Sequence, residues 1–229
     1  MNLPFTDRTD AGRKLAASLM DYRDREDVIV LGLPRGGVPV AYEVARALEA
    51  PLEALVVRKL GVPGQEEVAL GAVAADGSCV LNHDVVNMVG ISEAAIQCII
   101  EEQLREIRRR EDKYQGNRAL PDLAGRCVIL VDDGLATGAT MRAALALIRE
   151  KGPSRIVVAV PVGAIDTVQS LRAEADEVIC LAEPTFFKSV GQWYLDFSQT
   201  SDDEVLALLE RHAMACPARM PPVGQTPIV

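Results

Sequence analysis

The chain has 229 residues, 49% of them apolar and 25% charged, with a formal net charge of −9. That length can bury one large core with a small appendage, and the acidity argues against sequence-independent binding to nucleic-acid phosphates. No apolar run is long enough for a bilayer, Met1 to Arg13 is too polar for a leader, and the five cysteines include no CxxC pair, which points to reduced thiols in a cytoplasmic protein rather than to disulfides or zinc.

Helical and strand-like segments alternate, so the predicted fold class is α/β, a parallel sheet flanked by helices. Val28 to Leu33 reads as a buried strand, followed by a helix with Ala41, Val44, Ala45 and Leu48 on one face. Leu52 to Val57 reads as a second strand. Leu60 to Val68, with Gly61, Pro63 and Gly64, reads as a mobile loop. Ala69 to Ala74 and Ser78 to Leu81 can pair across a turn at residues 75–78. Ser92 is the expected cap of a long helix with Ile96, Ile99, Ile100, Leu104 and Ile107 inward. Its basic cluster Arg105, Arg108, Arg109, Arg110 fits a solvated face matched to the helix dipole better than an anion site. Val128 to Val131 is the clearest strand, and a helix from Gly138 stops at Lys151-Gly152-Pro153. Ile156 to Val160 and Glu177 to Leu181 are further strands around a helix near Thr167 to Ala173. Asp202 is the expected cap of a last helix, and from Ala213 four prolines predict a disordered tail.

The chemistry is concentrated in Val128-Ile-Leu-Val-Asp132-Asp133-Gly134-Leu135-Ala136-Thr137-Gly138-Ala139-Thr140. An apolar strand runs into two carboxylates, a loop of small and hydroxyl residues follows, and a helix begins. Ligands of open parallel sheets sit at the carboxyl ends of strands, and the free N–H groups of a helix start favour an anion there. Two carboxylates beside a phosphate site would repel a bare anion. They suit sugar hydroxyls or a hydrated Mg²⁺ instead. The pattern therefore asks for a phosphorylated sugar with a free diol. Neither a Walker A loop nor a dinucleotide GxGxxG is present.

This segment resembles the signature by which type I phosphoribosyltransferases bind 5-phosphoribosyl-1-pyrophosphate (PRPP), with the adenine-type enzymes nearest. The resemblance covers roughly Phe5 to Leu209 and extends to an uncharacterised bacterial branch of the family. It implies a Rossmann-like core over 1–182, a small hood with the last helix over 183–212, and the tail over 213–229. It implies that Asp132 and Asp133 hold the ribose hydroxyls and Mg²⁺, and that Ala136, Thr137, Gly138, Ala139 and Thr140 wrap the 5′-phosphate. Leu33-Pro34-Arg35-Gly36-Gly37 falls where the family binds pyrophosphate, often through a non-proline cis peptide. By the same resemblance Lys59 faces the pyrophosphate, and Glu67 or Glu66, in a closing loop, serves as general base. Solvent-facing roles for these three are equally open. Some purine enzymes carry an acidic residue just before Thr-Gly, where this chain has Ala136, which speaks against hypoxanthine–guanine chemistry of that style.

Five of the nine aromatic residues fall between Pro184 and Phe197. Phe187, Trp193 and Tyr194 are candidates to stack on a planar acceptor, or else form a satellite core. The implied activity is transfer of the phosphoribosyl group from PRPP to a nucleobase-like acceptor. The alternative is a non-catalytic PRPP or nucleotide sensor. A phosphatase or nucleotide hydrolase reading is weaker, since there is no serine elbow and His83 and His212 show no ligand spacing. The expected partners are PRPP and a small acceptor, without nucleic acid or membrane, and a homodimer is left open.

Overall fold

Three central strands alternate their side chains between two cores. Val28 and Val30 of β1 (Val28–Gly32), Ile129 and Val131 of β6 (Cys127–Val131), and Val157 and Ala159 of β7 (Arg155–Val162) face one layer of helices. Ile29, Leu31, Val128, Leu130, Ile156 and Val158 face the other. Both faces are buried, which is why these segments read as continuous apolar runs rather than as alternating ones. The computed structural model describes residues 3–63, 65–74, 77–114 and 120–216, with the side chains of residues 65–69, 83, 106 and 108–114 set aside.

The described residues form a parallel sheet of five strands in the order β2-β1-β6-β7-β8, with β2 at Leu52–Ala54 and β8 at Glu177–Ala182. Helices α1 (Arg8–Ala17) and α2 (Gly37–Leu48) contribute Leu15, Val40 and Val44 to the first core, together with Val205 of α7 (Asp202–Ala215). Helices α5 (Ala139–Arg149) and α6 (Ile165–Leu171) cover the second. From β1 the chain steps outward to β2, and β6 lies on the other side of β1. The order therefore reverses between β1 and β6, and such a switch point opens a crevice at the strands' carboxyl ends.

The region between β2 and β6 differs from its sequence reading. Leu52 to Val57 is not one strand. The chain leaves the main sheet after Ala54, and buried Leu55 and Val56 lead into β3 (Val57–Val62). The expected loop from Leu60 to Val68 is mostly strand. β3 pairs antiparallel with β4 (Gln65–Ala74) out to Val62 opposite Gln65, with irregular register around Gly61. Glycine and proline mark a short turn and a bulge rather than an open loop. β4 also pairs with β5 (Cys79–Leu81), as expected. Ala75 and Asp76 of the intervening turn lie outside the described residues, while Gly77 has φ +84°.

Helix α3 (His83–Val89) has no counterpart in the sequence reading. Asn82 caps it by accepting the Val85 N–H at 3.3 Å. Ser92 caps α4 (Glu93–Tyr114) as expected, and Ile96 and Ile107 are buried. Arg105 is exposed, and the side chains of Arg108, Arg109 and Arg110 lie outside the described set. The cap of α7 is Ser201, which accepts the Glu204 N–H, and Asp202 is its first helical residue. α7 continues through Ala215, and residues 217–229 of the expected tail lie outside the described residues. The described cysteines are all free.

Candidate functional site at the sheet switch point

The loops after β1 and β6 meet at the crevice. Gly32 lies opposite Val131, and the Leu33 N–H donates to the Val131 carbonyl at 2.9 Å. The Pro34–Arg35 peptide is cis. Behind it the two loops approach so closely that a side chain has no room. A Cβ on Gly36 would sit 2.0 Å from Asp133 Oδ2, and one on Gly37 would sit 2.7 Å from the Val131 carbonyl oxygen. The paired glycines are therefore required by contact with the Asp-Asp segment about a hundred residues later.

Gly134 to Thr140 forms a braced concavity. Leu135 donates to the Val162 carbonyl and accepts from the Ala164 N–H, both at 2.9 Å. Thr167 Oγ1 donates to the Ala136 carbonyl at 2.7 Å. Arg142 donates to the Thr137 carbonyl at 2.8 Å and to Glu174 at 2.9 Å. The turn closes at Gly138, with φ +73°, which offers α5 no side-chain cap, and Thr137 Oγ1 accepts the Ala139 N–H at 3.5 Å. The loop carbonyls are thus tied to neighbouring segments, while the N–H groups of the first turn of α5 beyond Ala139 stay available to an anion. A cavity of about 170 Å³ lies in this bend. Asp132, Ala136, Thr137, Gly138, Ala139 and Thr140 line it, and Val190 closes one side.

The two carboxylates are in different situations. Asp132 lines the cavity, and its Oδ1 accepts the Asp133 backbone N–H at 2.8 Å. Burial and the adjacent Asp133 charge push its carboxyl well above the usual carboxylate range. Asp133 is not among the residues that line this cavity. Asp133 instead receives Arg8 Nε at 2.8 Å, and the two side chains are only 14% and 12% exposed. Burial raises the Asp133 carboxyl, and Arg8 partly offsets the rise. Arg8 had no signal in the sequence, being 125 positions from its partner. Arg142 and Thr167 were missed for the same reason.

Other expected site residues are more dispersed. Arg35 Nη1 lies 4.0 Å from Asp202 Oδ1, at the start of α7. Lys59 lines a separate cavity of about 490 Å³ between β3–β5 and α5, whose wall also includes Thr137, Ala139 and Arg142. The two cavities thus meet at Thr137 and Ala139. Gln65, Glu66 and Glu67 have side chains outside the described residues. In the hood, Phe187 and Trp193 stack with ring centres 6.5 Å apart. The Trp193 indole N–H is buried without an acceptor among the described residues. Tyr194 is only 6% exposed, its ring packs against Phe5 and Phe197, and its hydroxyl donates to the Asp133 carbonyl at 2.6 Å. That ring has no free face to offer a planar acceptor, which corrects the sequence expectation for Tyr194.

Among the described residues no group of three metal-binding side chains converges. Mg²⁺ needs no such cage, because it keeps several waters and is usually held by one or two carboxylates plus ligand phosphates. Asp132, facing the cavity with no ion-pair partner among the described residues, fits that mode.

The sequence profile described as "Phosphoribosyl transferase domain" matches residues 6–198. A Mycobacterium tuberculosis protein, named only provisionally as a phosphoribosyl transferase, is 52% identical over 207 residues, covering 90% of this chain. This chain spans 46% of that relative's length. The crystal structure of TT1426 from Thermus thermophilus is similar at 43% identity with a TM-score of 0.84, covering 90% of this chain and 98% of that one. AQ2163 from Aquifex aeolicus shares the fold at 13% identity and a TM-score of 0.50, over 88% of this chain and 86% of that one.

Proposed function

This chain belongs to the phosphoribosyltransferase family, and on that premise we propose that it transfers the 5-phosphoribosyl group of PRPP to a nucleobase-like acceptor and releases pyrophosphate. The observation that carries the reading is the cavity shared by Asp132 and the start of α5 at the sheet switch point. An anion at one end and hydroxyls or Mg²⁺ at the other is what a ribose phosphate presents. In this reading Ala136 to Thr140 hold the 5′-phosphate and Asp132 takes the diol, joined by Asp133 once it leaves Arg8.

The C1–oxygen bond to pyrophosphate breaks as a bond from an acceptor nitrogen to C1 forms, through an oxocarbenium-like state. Leaving-group charge is met by Arg35 and by the N–H of Gly36, while the Gly37 N–H is held by the Leu33 carbonyl at 3.0 Å and keeps the loop in shape. Asp132 would hold Mg²⁺, which when bound would supply charge neutralisation for the leaving group. Lys59 reaches the reaction only by way of the cavity that meets the cradle at Thr137. Glu67, or Glu66, accepts the acceptor's proton. Phe187 and Trp193 receive the acceptor, and the unpaired indole N–H offers it a hydrogen bond. The absence of a side-chain acid at Ala136 keeps the acceptor distinct from hypoxanthine–guanine recognition of that style.

Calorimetry with PRPP and Mg²⁺ tests the site. Asp132→Asn combined with Asp133→Asn is expected to abolish Mg²⁺-dependent binding, and unchanged affinity would refute it. Pyrophosphate release from PRPP over a panel of bases tests the chemistry. Binding without release from any base would favour the sensor reading, to which the commitment of Asp133 to Arg8 lends some support.

A further inference from the structure

We infer that Arg8 is a positioning residue that clasps Asp133 to the hood, so that capture of a sugar diol by Asp133 and movement of the 193–198 segment are one event. The part concerning the diol rests on the proposed function. The clasp itself rests on geometry alone.

Arg8 stands at the first position of α1 and reaches two distant segments at once. Its Nε donates to Asp133 Oδ2 at 2.8 Å, and its Nη1 donates to the Ser198 carbonyl at 2.7 Å. Its guanidinium carbon lies 4.0 Å from the centre of the Phe197 ring. A flat, forked cation does all three things together, whereas a lysine can do one. Gly36 leaves the required room, since a Cβ there would lie 3.2 Å from Arg8 Nε as well as against Asp133.

The hood is tied to the same point by a second path. Residues 193–196 run beside Phe5 and Thr6, with Phe5 N–H to the Trp193 carbonyl and Leu195 N–H to the Phe5 carbonyl, both at 2.8 Å. Tyr194 then returns a hydrogen bond to the Asp133 carbonyl. The Asp133 backbone is therefore held by the hood through Tyr194, and its carboxylate through Arg8. Arg8 engages Asp133 Oδ2 alone, so a diol that takes both carboxylate oxygens displaces Arg8 Nε, and withdrawal of the guanidinium removes the cation from Phe197 and the donor from Ser198. Trp193, which stacks on Phe187, belongs to that segment and stays tied to Phe5 through its carbonyl, so loss of the clasp loosens it without detaching it.

Trp193 is the only tryptophan in the chain, so its fluorescence reports the hood without labelling. In the unliganded full chain, Arg8→Gln and Phe197→Ala should each raise acrylamide quenching of Trp193, while Phe197→Tyr, which keeps the ring, should restore wild-type quenching. Quenching equal to wild type in folded Arg8→Gln overturns the clasp, whatever the chain binds. PRPP with Mg²⁺ should shift Trp193 emission in the wild type, and in Arg8→Gln that shift should be lost while calorimetry still registers binding through the cradle. A full-sized shift in Arg8→Gln overturns the coupling. Failure of the wild type to bind PRPP would count against the proposed function, and the quenching comparison would still decide the clasp.

Discussion

Both edges of the main sheet place carboxylates beside arginine, and the two edges treat the charge in opposite ways. At the amino-terminal edge, Glu177 accepts from the Tyr22 hydroxyl and from Arg155 at 2.8 Å, while Arg25 pairs with Asp27 at 2.7 Å and lies 5.4 Å from the Tyr22 ring centre. Hydrogen bonds from Tyr22 and Arg155 hold the Glu177 carboxyl below its ordinary range. At the carboxyl-terminal edge, Asp132 has burial and a like charge for neighbours and its carboxyl is pushed up. One edge has its charges matched within the chain, whereas the other holds a carboxylate that the folded protein alone would sooner protonate. Unmatched charge of that kind in a crevice marks the edge that awaits a ligand.

The comparison breaks most visibly at Asp132. Asparagine keeps an oxygen for the Asp133 N–H and removes the repelled charge. Asp132→Asn should weaken Mg²⁺–PRPP binding by about tenfold to a hundredfold, the equivalent of a lost charged hydrogen bond, yet raise thermal stability by about 1 kcal/mol. The sign follows from linkage. A carboxyl whose folded value is raised binds protons in the native state that the unfolded chain has released, so stability falls as pH rises through that interval. Calorimetry and thermal melts at neutral pH test both halves, and a melt lowered by the substitution would mean that the aspartate is a structural partner.

Gly36→Ala comes next. The added methyl would meet Asp133 Oδ2 at 2.0 Å, which is relieved only if the Asp133 carboxylate swings away and gives up its present contact with Arg8. A loss of about 1–3 kcal/mol is expected, as for overpacking, accompanied by weaker PRPP binding. Tyr194→Phe should cost about 1 kcal/mol, because the Asp133 carbonyl loses its donor in a part-buried setting. Because the hydroxyl holds the Asp133 backbone, its effect should appear in PRPP KM more than in acceptor KM. Urea melts and steady-state kinetics on the two variants measure these effects.

The legible parts of the molecule were those whose determinants are contiguous. The run Cys127 to Val131 with its Asp-Asp end and Thr-Gly turn states strand, site and helix start within a few residues. The hairpin misled because Gly61 and Pro63 are as compatible with a bulged turn as with a loop, and the pairing that decides lies across β4. Arg8, Arg142 and the true role of Tyr194 were invisible because each is defined by a partner 5 to 125 positions away with no local periodicity to betray it. Arg35 and Lys59 were expected at the site through the family resemblance, but a resemblance in sequence does not say which cavity a long side chain enters. Lys59 lines the larger one.

The smallest effect belongs to the matched edge and sharpens the contrast from the other side. Tyr22→Phe removes the hydroxyl that donates to Glu177 and leaves Arg155 in place. Because Glu177 is partly exposed, water and Arg155 take over much of its solvation, and the cost should be only about 0.5–1 kcal/mol at neutral pH. That cost should depend on pH in the direction opposite to Asp132. A carboxyl held below its ordinary value contributes stability that is fully present above the unfolded value of 4.5 and is lost as pH falls through the folded one. The wild-type advantage over Tyr22→Phe should therefore shrink on acidification, while PRPP binding stays the same in both proteins. An advantage that persists at low pH would show that Tyr22 acts through packing, with its buried ring rather than its hydroxyl carrying the stabilisation.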